Sequence, residues 1–436
     1  MTGLALAGVL TTVLVVASRR APASLRRALP AAVLGGGLAL VLRQFGALPG
    51  AVVAWQDVGY HLFGASFLAI GLTPLTSSGT SLRGGAAWMG VGQWVSFPLQ
   101  AVVGGVLTWL VIGGGGDLHP AFGFLAPMGL NEGPGQAVSI GRLWEAEGLA
   151  NAPSIGATMA SLGFVIAYAA GVLVARRSGR LRRHPDRGTE PEGSTEPVPD
   201  LAVAAGATGV ITRPSRAAIA RAAVGVGVGY LAIYGLVWWG TGLIGPDVQD
   251  LVLAVLFFVC LLVGTAVRAM LGRRGVTLDG EALRTVTVWA VDGLTIAILG
   301  SLAWGDVSDV IGPLLAVVVL AVAATAVAIW GMGRRLPSVR LERQLALFGT
   351  VTGTAASGLA LITMVDPEME STAATELGAA VVVSTPVVLG GIAITSLAAT
   401  GVLSLVTTIA ILAAITVAAG LLQWWIVRHL TTAPAA

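Results

Sequence analysis

The sequence predicts an all-α polytopic membrane protein with about eleven transmembrane helices, two re-entrant segments and two repeats of inverted topology. Three observations predict this class: the composition, the lengths of the apolar stretches and the distribution of arginine. Hydrophobic residues make up 55% of the 436 residues and charged residues only 11%, whereas soluble domains carry about 25% charged residues. This composition excludes a soluble globular domain, and the high hydrophobicity excludes an intrinsically disordered chain.

The apolar stretches are long enough to cross a bilayer, which takes about 20 mainly apolar residues in a helix. The first half of the sequence predicts five spans, near 3–18, 29–49, 58–76, 86–112 and 152–175. The second half predicts six, near 222–243, 248–270, 285–304, 310–333, 373–397 and 399–428. Arg19 and Arg20 follow the first stretch rather than precede it, which indicates a retained helix and not a cleaved signal.

Two further apolar stretches, 121–141 and 344–364, are interrupted by Gly, Pro and Thr. We interpret both as re-entrant segments that enter and leave the membrane on the same side. With the N-terminus outside, 23 of the 25 arginines lie on the cytoplasmic side, and only Arg43 and Arg142 lie outside. Arginine is retained in the cytoplasm, so this arrangement favours a cell-membrane protein with a cytoplasmic C-terminus. Counting either stretch as a span would invert every later loop and spoil the agreement.

The segment 178–218 separates two membrane halves, 1–177 and 219–430, and is rich in Arg, Glu, Pro and Ser at its start. This composition is typical of a flexible linker, here cytoplasmic. The halves align with each other when Gly129 is placed on Gly349, because Gly133 then falls on Gly353. Five spans in the first half is an odd number, so the second half starts from the opposite side, as in many secondary transporters. Chance similarity between Gly/Ala-rich helices is the alternative.

The interrupted segments are the expected solute site, because non-helical backbone at membrane depth is tolerated only where protein or a watery cavity covers it. Their free N–H groups suit anions and their free carbonyl groups suit cations. We expect solute binding by Asn131, Gly133, Gly135, Gln136, Ser139, Thr352, Gly353, Thr354 and Ser357. The alternatives are an ordinary helix–loop junction for the first segment and, for the second, hydroxyls bonded back to their own helix.

Three residues are expected to couple a cation: Glu132, Thr350 and Asp292. Hydroxyl and carbonyl oxygens beside Thr350 are the hard ligands that Na⁺ requires, so a Na⁺ site is the only metal site predicted. Asp292 lies well inside a predicted span, where an ionisable residue is a functional hypothesis by default. A structural bond to a neighbouring helix is the alternative for Asp292. Asp57 and His61, four residues apart near a membrane edge, are interpreted as interfacial.

The sequence contains no H-E-x-x-H, P-loop or G-x-S-x-G motif and no Cys/His metal cluster. We therefore expect no enzyme and no organic cofactor. Nucleic acid is not an expected partner, because the arginines lie at membrane edges rather than in one patch.

The stretch from Gly123 to Ala137 resembles the first re-entrant motif of the bacterial sodium/glutamate symporter family, and Leu347 to Ala355 resembles the second. The run from His61 to Leu72 and the helix around Asp292 are also similar. The resemblance implies Na⁺-coupled symport of glutamate or a related small carboxylate by an elevator movement. It also implies a homodimer, with the re-entrant segments and their neighbouring helices in the moving domain.

This chain departs from the family at one point. The best-known members carry Gly-Gly-His-Gly in the first motif, whereas this chain has Glu132, Gly133, Pro134 and Gly135. The Glu132 carboxylate repels an anionic solute, binds a cation or faces an amine. The alternatives to the symporter are an H⁺-coupled or other-solute carrier of the same fold, a membrane enzyme acting on lipids, and a passive channel or structural membrane protein.

Overall fold

The computed structural model describes residues 2–22, 31–74, 83–178, 214–336, 339–366 and 371–432. Within these ranges the regular structure is helical and no strand is present. In chain order the helices are α1 (Thr2–Arg19), α2 (Ala31–Gln44), α3 (Val52–Leu72), α4 (Arg83–Gly113), α5 (Leu125–Leu130), α6 (Pro134–Ala146), α7 (Ala152–Arg177), α8 (Arg216–Gly242), α9 (Pro246–Ala254), α10 (Leu256–Arg273), α11 (Gly280–Ser301), α12 (Ile311–Gly333), α13 (Arg340–Val351), α14 (Ala355–Val365), α15 (Ala373–Ala399) and α16 (Leu405–Thr432).

Eight of the described helices are long and apolar enough to cross a membrane: α4, α7, α8, α10, α11, α12, α15 and α16. They expose large apolar side chains; Val327 and Val382, for example, are 75% and 71% exposed. Such side chains are stable against lipid and costly in water. The predicted class, an all-α membrane protein, is therefore confirmed. Of the remaining predicted spans, α1 has 18 residues, α2 has 14 and α3 has 21.

Several predicted boundaries differ from the structure by up to six residues; the third span begins at Val52 rather than near 58, and the last begins at Leu405 rather than near 399. Two differences have a clear physical cause. The predicted span 248–270 is divided into α9 and α10 at Val255, which leaves the helical conformation with φ −109° and ψ 18°. The Tyr60 hydroxyl donates to the Leu253 carbonyl at 2.7 Å beside this division. The predicted linker 178–218 ends earlier than expected, because the Ser215 hydroxyl accepts from Ala218 N–H at 3.1 Å and starts α8 at residue 216. Residues 179–213 of that linker lie outside the described residues.

The helices form two groups, each with its own buried apolar cluster. The core bundle contains α4–α7 and α12–α16, which share one large hydrophobic core. The flank bundle contains α1–α3, α8, α10 and α11. A smaller cluster of buried apolar side chains joins the two bundles. It includes Phe63 of α3, Val138 of α6, Ala157 of α7 and Phe257 of α10.

Close helix packing in the flank bundle depends on glycine. Gly71 of α3 faces Gly264 of α10, and a Cβ on Gly71 would lie 2.6 Å from the Leu261 carbonyl oxygen. Backbones approach this closely only where neither residue has a side chain, as at many membrane helix interfaces.

Ion pairs join helices at three places in the described structure. Arg343 of α13 contacts both carboxylate oxygens of Glu376 of α15, at 2.7 and 2.6 Å, and this pair is buried. Thr372 also donates to Glu376, at 2.9 Å. Arg142 of α6 pairs with Asp57 of α3 at 2.8 Å, across the two bundles. Arg19 of α1 pairs with Asp292 of α11.

Candidate functional site

The first predicted re-entrant stretch contains a short helix, a break and a second helix. Helix α5 ends at Leu130, and α6 begins at Pro134 after a break at 131–133. Gly133 has φ 86° and ψ −177°, a conformation that only glycine adopts without strain. Pro134 occupies the first position of α6, where a missing N–H costs no helical hydrogen bond. The sequence Gly133-Pro134 therefore fixes both the break and the start of α6. We call α5, this break and α6 the first broken segment.

The second stretch has the same organisation. Helix α13 ends at Val351 and α14 begins at Ala355, with a break at 352–354. The two arms lie against each other, because Gly349 of α13 faces Gly358 of α14. We call α13, this break and α14 the second broken segment.

The two breaks meet inside the core bundle. A Cβ on Gly133 would lie 2.8 Å from Thr354 Cγ2 and 3.4 Å from the Gly353 carbonyl oxygen. Gly133 therefore has no room for a side chain, in addition to its positive φ. Contact between residues 133 and 354 brings both sets of expected solute-binding residues to one place.

Four helix ends converge at this contact. The two N-termini give the site partial positive charge, and the two C-termini give it partial negative charge. The N-termini of α6 and α14 have no side-chain hydrogen bond at their first turn. Such free N–H groups, together with the helix dipole, attract an anionic group. The C-termini of α5 and α13 end at the same breaks, and their free carbonyl oxygens suit a cation such as Na⁺.

Helix α4 forms one wall of the site, a role that the sequence reading missed. The Asn131 amide, oriented to satisfy both of its neighbours, accepts from the Phe97 backbone N–H at 3.3 Å and donates to Glu132 Oε1 at 3.1 Å. Gln100 Nε2 donates to the Val351 carbonyl at 2.7 Å, at the end of α13. Phe97 and Gln100 lie on one face of α4, so this face contacts both broken segments. The signal available in the sequence was a set of glutamines inside an otherwise apolar span.

Helix α7 forms a second wall. Gly129 of α5 packs on α7, where its Cβ would lie 2.7 Å from the Gly156 carbonyl oxygen. Gly163 of α7 faces the Thr352 carbonyl of the second break. Tyr168 of α7 places its hydroxyl near Ser357. One helix therefore contacts both broken segments along its length.

Several expected site residues are buried at the breaks. Asn131, Gln136, Ser139, Thr352 and Ser357 are each 5% exposed or less. Gly135 packs under Phe63, whose Cδ2 would lie 2.5 Å from a Cβ on this glycine. Glu132 is partly buried.

Three of the expected hydroxyl ligands donate their protons to their own helix. Ser139 bonds to the Gly135 carbonyl at 2.9 Å, Thr350 to Ala346 at 2.8 Å and Thr352 to Phe348 at 2.6 Å. For Thr350 and Thr352 this back-bonding is the alternative that the sequence left open for the second segment. The hydroxyl oxygens keep lone pairs, so a bound cation remains compatible with these bonds.

Asp292 lies in the flank bundle rather than in either break. Its Oδ2 accepts from Arg19 Nε at 3.1 Å and Arg19 Nη2 at 2.5 Å, and the Arg19 guanidinium lies 5.5 Å from the Trp289 ring centroid. This pairing corresponds to the structural alternative for Asp292. Its role in cation coupling stays a prediction.

An open cavity of about 890 Å³ lies at the base of the second broken segment. None of its lining residues belongs to the two breaks. They are Ser178, Trp330, Arg334, Leu336, Val339, Arg340, Leu341, Glu342, Gln344 and Ser371.

Comparison of the chain with protein-family models, with curated proteins and with solved structures finds no match.

Proposed function

We propose that this protein is a secondary active transporter that moves a small polar solute by alternating access around the meeting point of the two broken segments. Na⁺ is the proposed coupling ion, and glutamate or a related small carboxylate is the first solute to test. The contact of Gly133 with Thr354 is the observation that carries the proposal, because it joins two uncapped helix N-termini and two helix C-termini in the core bundle. Discontinuous helices with paired ends bind substrate and ion in many secondary transporters.

The packing of the helices supports the proposed inverted repeat. If α1, α2, α3, α4 and α7 correspond to α8, α10, α11, α12 and α15, several contacts between helices have a counterpart with the halves exchanged. Helix α3 packs on α10 and α2 on α11; α4 packs on α15 and α7 on α12. Helix α4 also contacts α13, and α12 contacts α5. Reciprocal contacts of this kind are expected from a two-fold axis between the halves.

An elevator movement is proposed for the core bundle relative to the flank bundle. Both broken segments lie in the core bundle, and the contact between the bundles is largely apolar. Apolar surfaces slide with little energetic cost, and the Arg142–Asp57 ion pair, which is about one third exposed, is the charged contact that such a movement breaks. The proposal extends to a homodimer in the cell membrane with the N-terminus outside and the linker and C-terminus in the cytoplasm.

The test is uptake of labelled glutamate into proteoliposomes, with and without an inward Na⁺ gradient. Glutamine and a panel of other carboxylates are measured in parallel, each also with a proton gradient. The proposal predicts accumulation above the external concentration that collapses when the cation gradient is removed. Equilibration without accumulation would identify a channel, and no flux of any tested solute through folded protein would contradict the proposal.

Asp292 and Glu132 give distinct expectations in this assay. If Asp292 couples the cation, Asp292→Asn raises the Na⁺ concentration that gives half-maximal uptake. If it serves only Arg19, the paired variant Arg19→Met with Asp292→Leu recovers both stability and uptake. Glu132→Gln tests the carboxylate at the break in the same way. We expect it to alter Na⁺ dependence, because it removes a negative charge from the break, where Glu132 contacts Asn131.

A further inference from the structure

The open cavity beside the start of α13 lies where two candidate membrane helices end. Helices α7 and α12 are both long and apolar enough to cross a membrane. Ser178, which directly follows α7, and Arg334, which directly follows α12, both line the cavity. The cavity therefore lies at one edge of the membrane-spanning region, at the level of the lipid headgroups. Its volume of about 890 Å³ falls within the range of about 300–1,000 Å³ that is typical of small-molecule sites.

Two arginines supply positive charge to the cavity. Arg334 and Arg340 line it, and both are exposed. Arg340 Nη1 donates to the Arg334 carbonyl at 3.3 Å, so the two residues are neighbours in space. Neither arginine forms an ion pair with a carboxylate in the part of the chain that the structure describes. The planar guanidinium group matches the oxygens of a phosphate, so both side chains are available to an anionic ligand.

One carboxylate, that of Glu342, lines the same cavity. Glu342 is 7% exposed and lies in the first turn of α13, where an acidic side chain interacts favourably with free N–H groups. Two arginines and one carboxylate leave the lining with a charge of +1. Arg335 follows Arg334 in the chain, Arg177 precedes Ser178, and both of these arginines are exposed. The surroundings of the cavity therefore add further positive charge.

Two polar groups at the cavity lack a partner that a phosphate oxygen could provide. The Ser371 hydroxyl oxygen is buried and has no hydrogen-bond partner among the described residues. No side chain caps the start of α13, and the residue before it, Val339, has φ 48° and ψ 33°. This left-handed conformation is strained for a β-branched residue, and such strain is concentrated at ligand sites. A phosphate group is a good ligand for a free helix N-terminus and for a free hydroxyl.

The apolar part of the lining distinguishes a lipid from a soluble phosphate compound. Trp330, in the last turn of α12, lines the cavity together with Leu336 and Leu341. The Trp330 ring packs edge-on against Phe348 of α13, with 5.1 Å between the ring centroids. Tryptophan is enriched at the membrane interface, where its apolar ring contacts the glycerol region of lipids. A soluble phosphate ion would leave this apolar surface uncovered.

We propose that this cavity binds the headgroup of an anionic phospholipid. Arg334 and Arg340 bind the phosphate, and the glycerol and the first part of the acyl chains pack on Trp330. Basic pockets between membrane helices bind anionic headgroups in this way. The arginine-rich side of the chain is proposed to face the cytoplasm, where the leaflet carries anionic lipids. The cavity is separate from the two breaks, so this inference does not depend on transport.

The test measures amide hydrogen exchange of the purified full-length protein in two kinds of nanodisc, one of phosphatidylglycerol and one of phosphatidylcholine. The readout is exchange in peptides that cover residues 339–344, because the first-turn N–H groups of α13 lie at the cavity. We expect exchange there to be about tenfold slower in phosphatidylglycerol, since hydrogen bonds to a charged group are among the stronger ones. Equal exchange in the two lipids would overturn the inference.

Paired variants separate this cavity from general attraction to an anionic membrane. Arg334→Gln with Arg340→Gln is expected to abolish the difference between the two lipids. Arg273→Gln with Arg274→Gln is the matched control, because it also removes two exposed arginines at the end of a candidate membrane helix, α10, away from the cavity. The control is expected to keep the difference. Loss of the difference in both paired variants would contradict a specific site.

Arg334→Gln alone covers the case in which the paired variant does not fold. It keeps the bond from Arg340 to the carbonyl of residue 334, and it is expected to reduce the difference between the lipids. Inorganic phosphate and glycerol phosphate, added to phosphatidylcholine nanodiscs, distinguish the two sources of a phosphate group. We expect neither compound to slow exchange as phosphatidylglycerol does. Equal protection by glycerol phosphate would assign the cavity to a soluble phosphate compound and overturn the lipid assignment.

Discussion

At the scale of single residues, Gly133 meets two requirements that only glycine satisfies. Its φ of 86° lies in the left-handed region, and its α-carbon faces Thr354 of the other broken segment. The first requirement could be deduced from the sequence, because Gly133 precedes Pro134 in an apolar stretch. The second could not, because it depends on a residue 221 positions away along the chain.

Gly133→Ala separates these requirements when it is compared with Gly148→Ala. Gly148 has a similar φ of 99°, but nothing lies within 4 Å of its Cβ position. In both variants a side chain is placed on a backbone with positive φ, which costs about 1–3 kcal/mol. We expect only Gly133→Ala to lose solute binding and uptake as well, because the added methyl group also separates the two breaks. Thermal unfolding and uptake measured side by side check this, and equal loss of uptake in both variants would contradict it.

His119 gives a pH dependence outside the membrane-spanning helices. Burial lowers the pKa of His119 below its usual value, partly offset by the Glu147 carbonyl, and its Nδ1 accepts from Ala121 N–H at 3.1 Å. The neutral form is thus favoured in the folded state. Its contribution to stability is complete above the unfolded pKa of about 6.5 and declines as the pH falls toward the folded pKa. We expect the Tm to fall from pH 7 to pH 5, and His119→Asn to reduce that fall; an identical fall in the variant would exclude His119.

At the scale of elements, the second broken segment is held at the start of α13, far from the break, as well as at the break itself. The ion pair of Arg343 with Glu376 joins α13 to α15, and Glu376 is fully buried. A buried pair contributes little net stability, yet removing one partner leaves an uncompensated charge in a medium of low dielectric constant. The pair therefore fixes where α13 begins relative to α15.

Arg343→Met is expected to lower the free energy of unfolding by about 3–5 kcal/mol, because Glu376 then stays buried without its partner. Adding Glu376→Leu is expected to recover most of this loss. Arg142→Met is the control: its partner Asp57 has a side chain that is 34% exposed, and a solvent-screened pair contributes about 1 kcal/mol or less. Denaturant unfolding in detergent measures all three. A double variant as unstable as Arg343→Met would contradict this account.

The sequence predicted the elements of the site better than their arrangement. Glycine indicated both breaks, with proline beside the first, and the apolar stretches placed the long helices to within about six residues. The division at Val255 was missed because nothing in that apolar stretch interrupts the helical pattern. The wall formed by Phe97 and Gln100 of α4 was missed because an apolar span shows where a helix lies but not which neighbour each face contacts.

At the scale of the whole molecule, the proposed solute site and the Arg19–Asp292 pair lie in different bundles. The core bundle contains both breaks and both walls, and the flank bundle contains the Arg19–Asp292 pair. The sequence allowed a structural bond of Asp292 to a neighbouring helix but did not identify Arg19 as its partner, since the two residues are 273 positions apart. Asp292 acquires its partner only when α1 packs on α11, so tertiary structure decides whether an intramembrane carboxylate is free or bound.

Solute protection of a cysteine at the meeting point tests the central claim, that the two breaks form one solute site. Thr354→Cys is placed in a Cys260→Ser background, where the native cysteine is fully buried, and its reaction with a water-soluble thiol reagent is timed. We predict slower modification in NaCl with glutamate or glutamine than in choline chloride alone. A cysteine at the exposed position Asp309 is predicted to react at the same rate in both solutions. Unchanged modification of residue 354 with both amino acids would contradict the account.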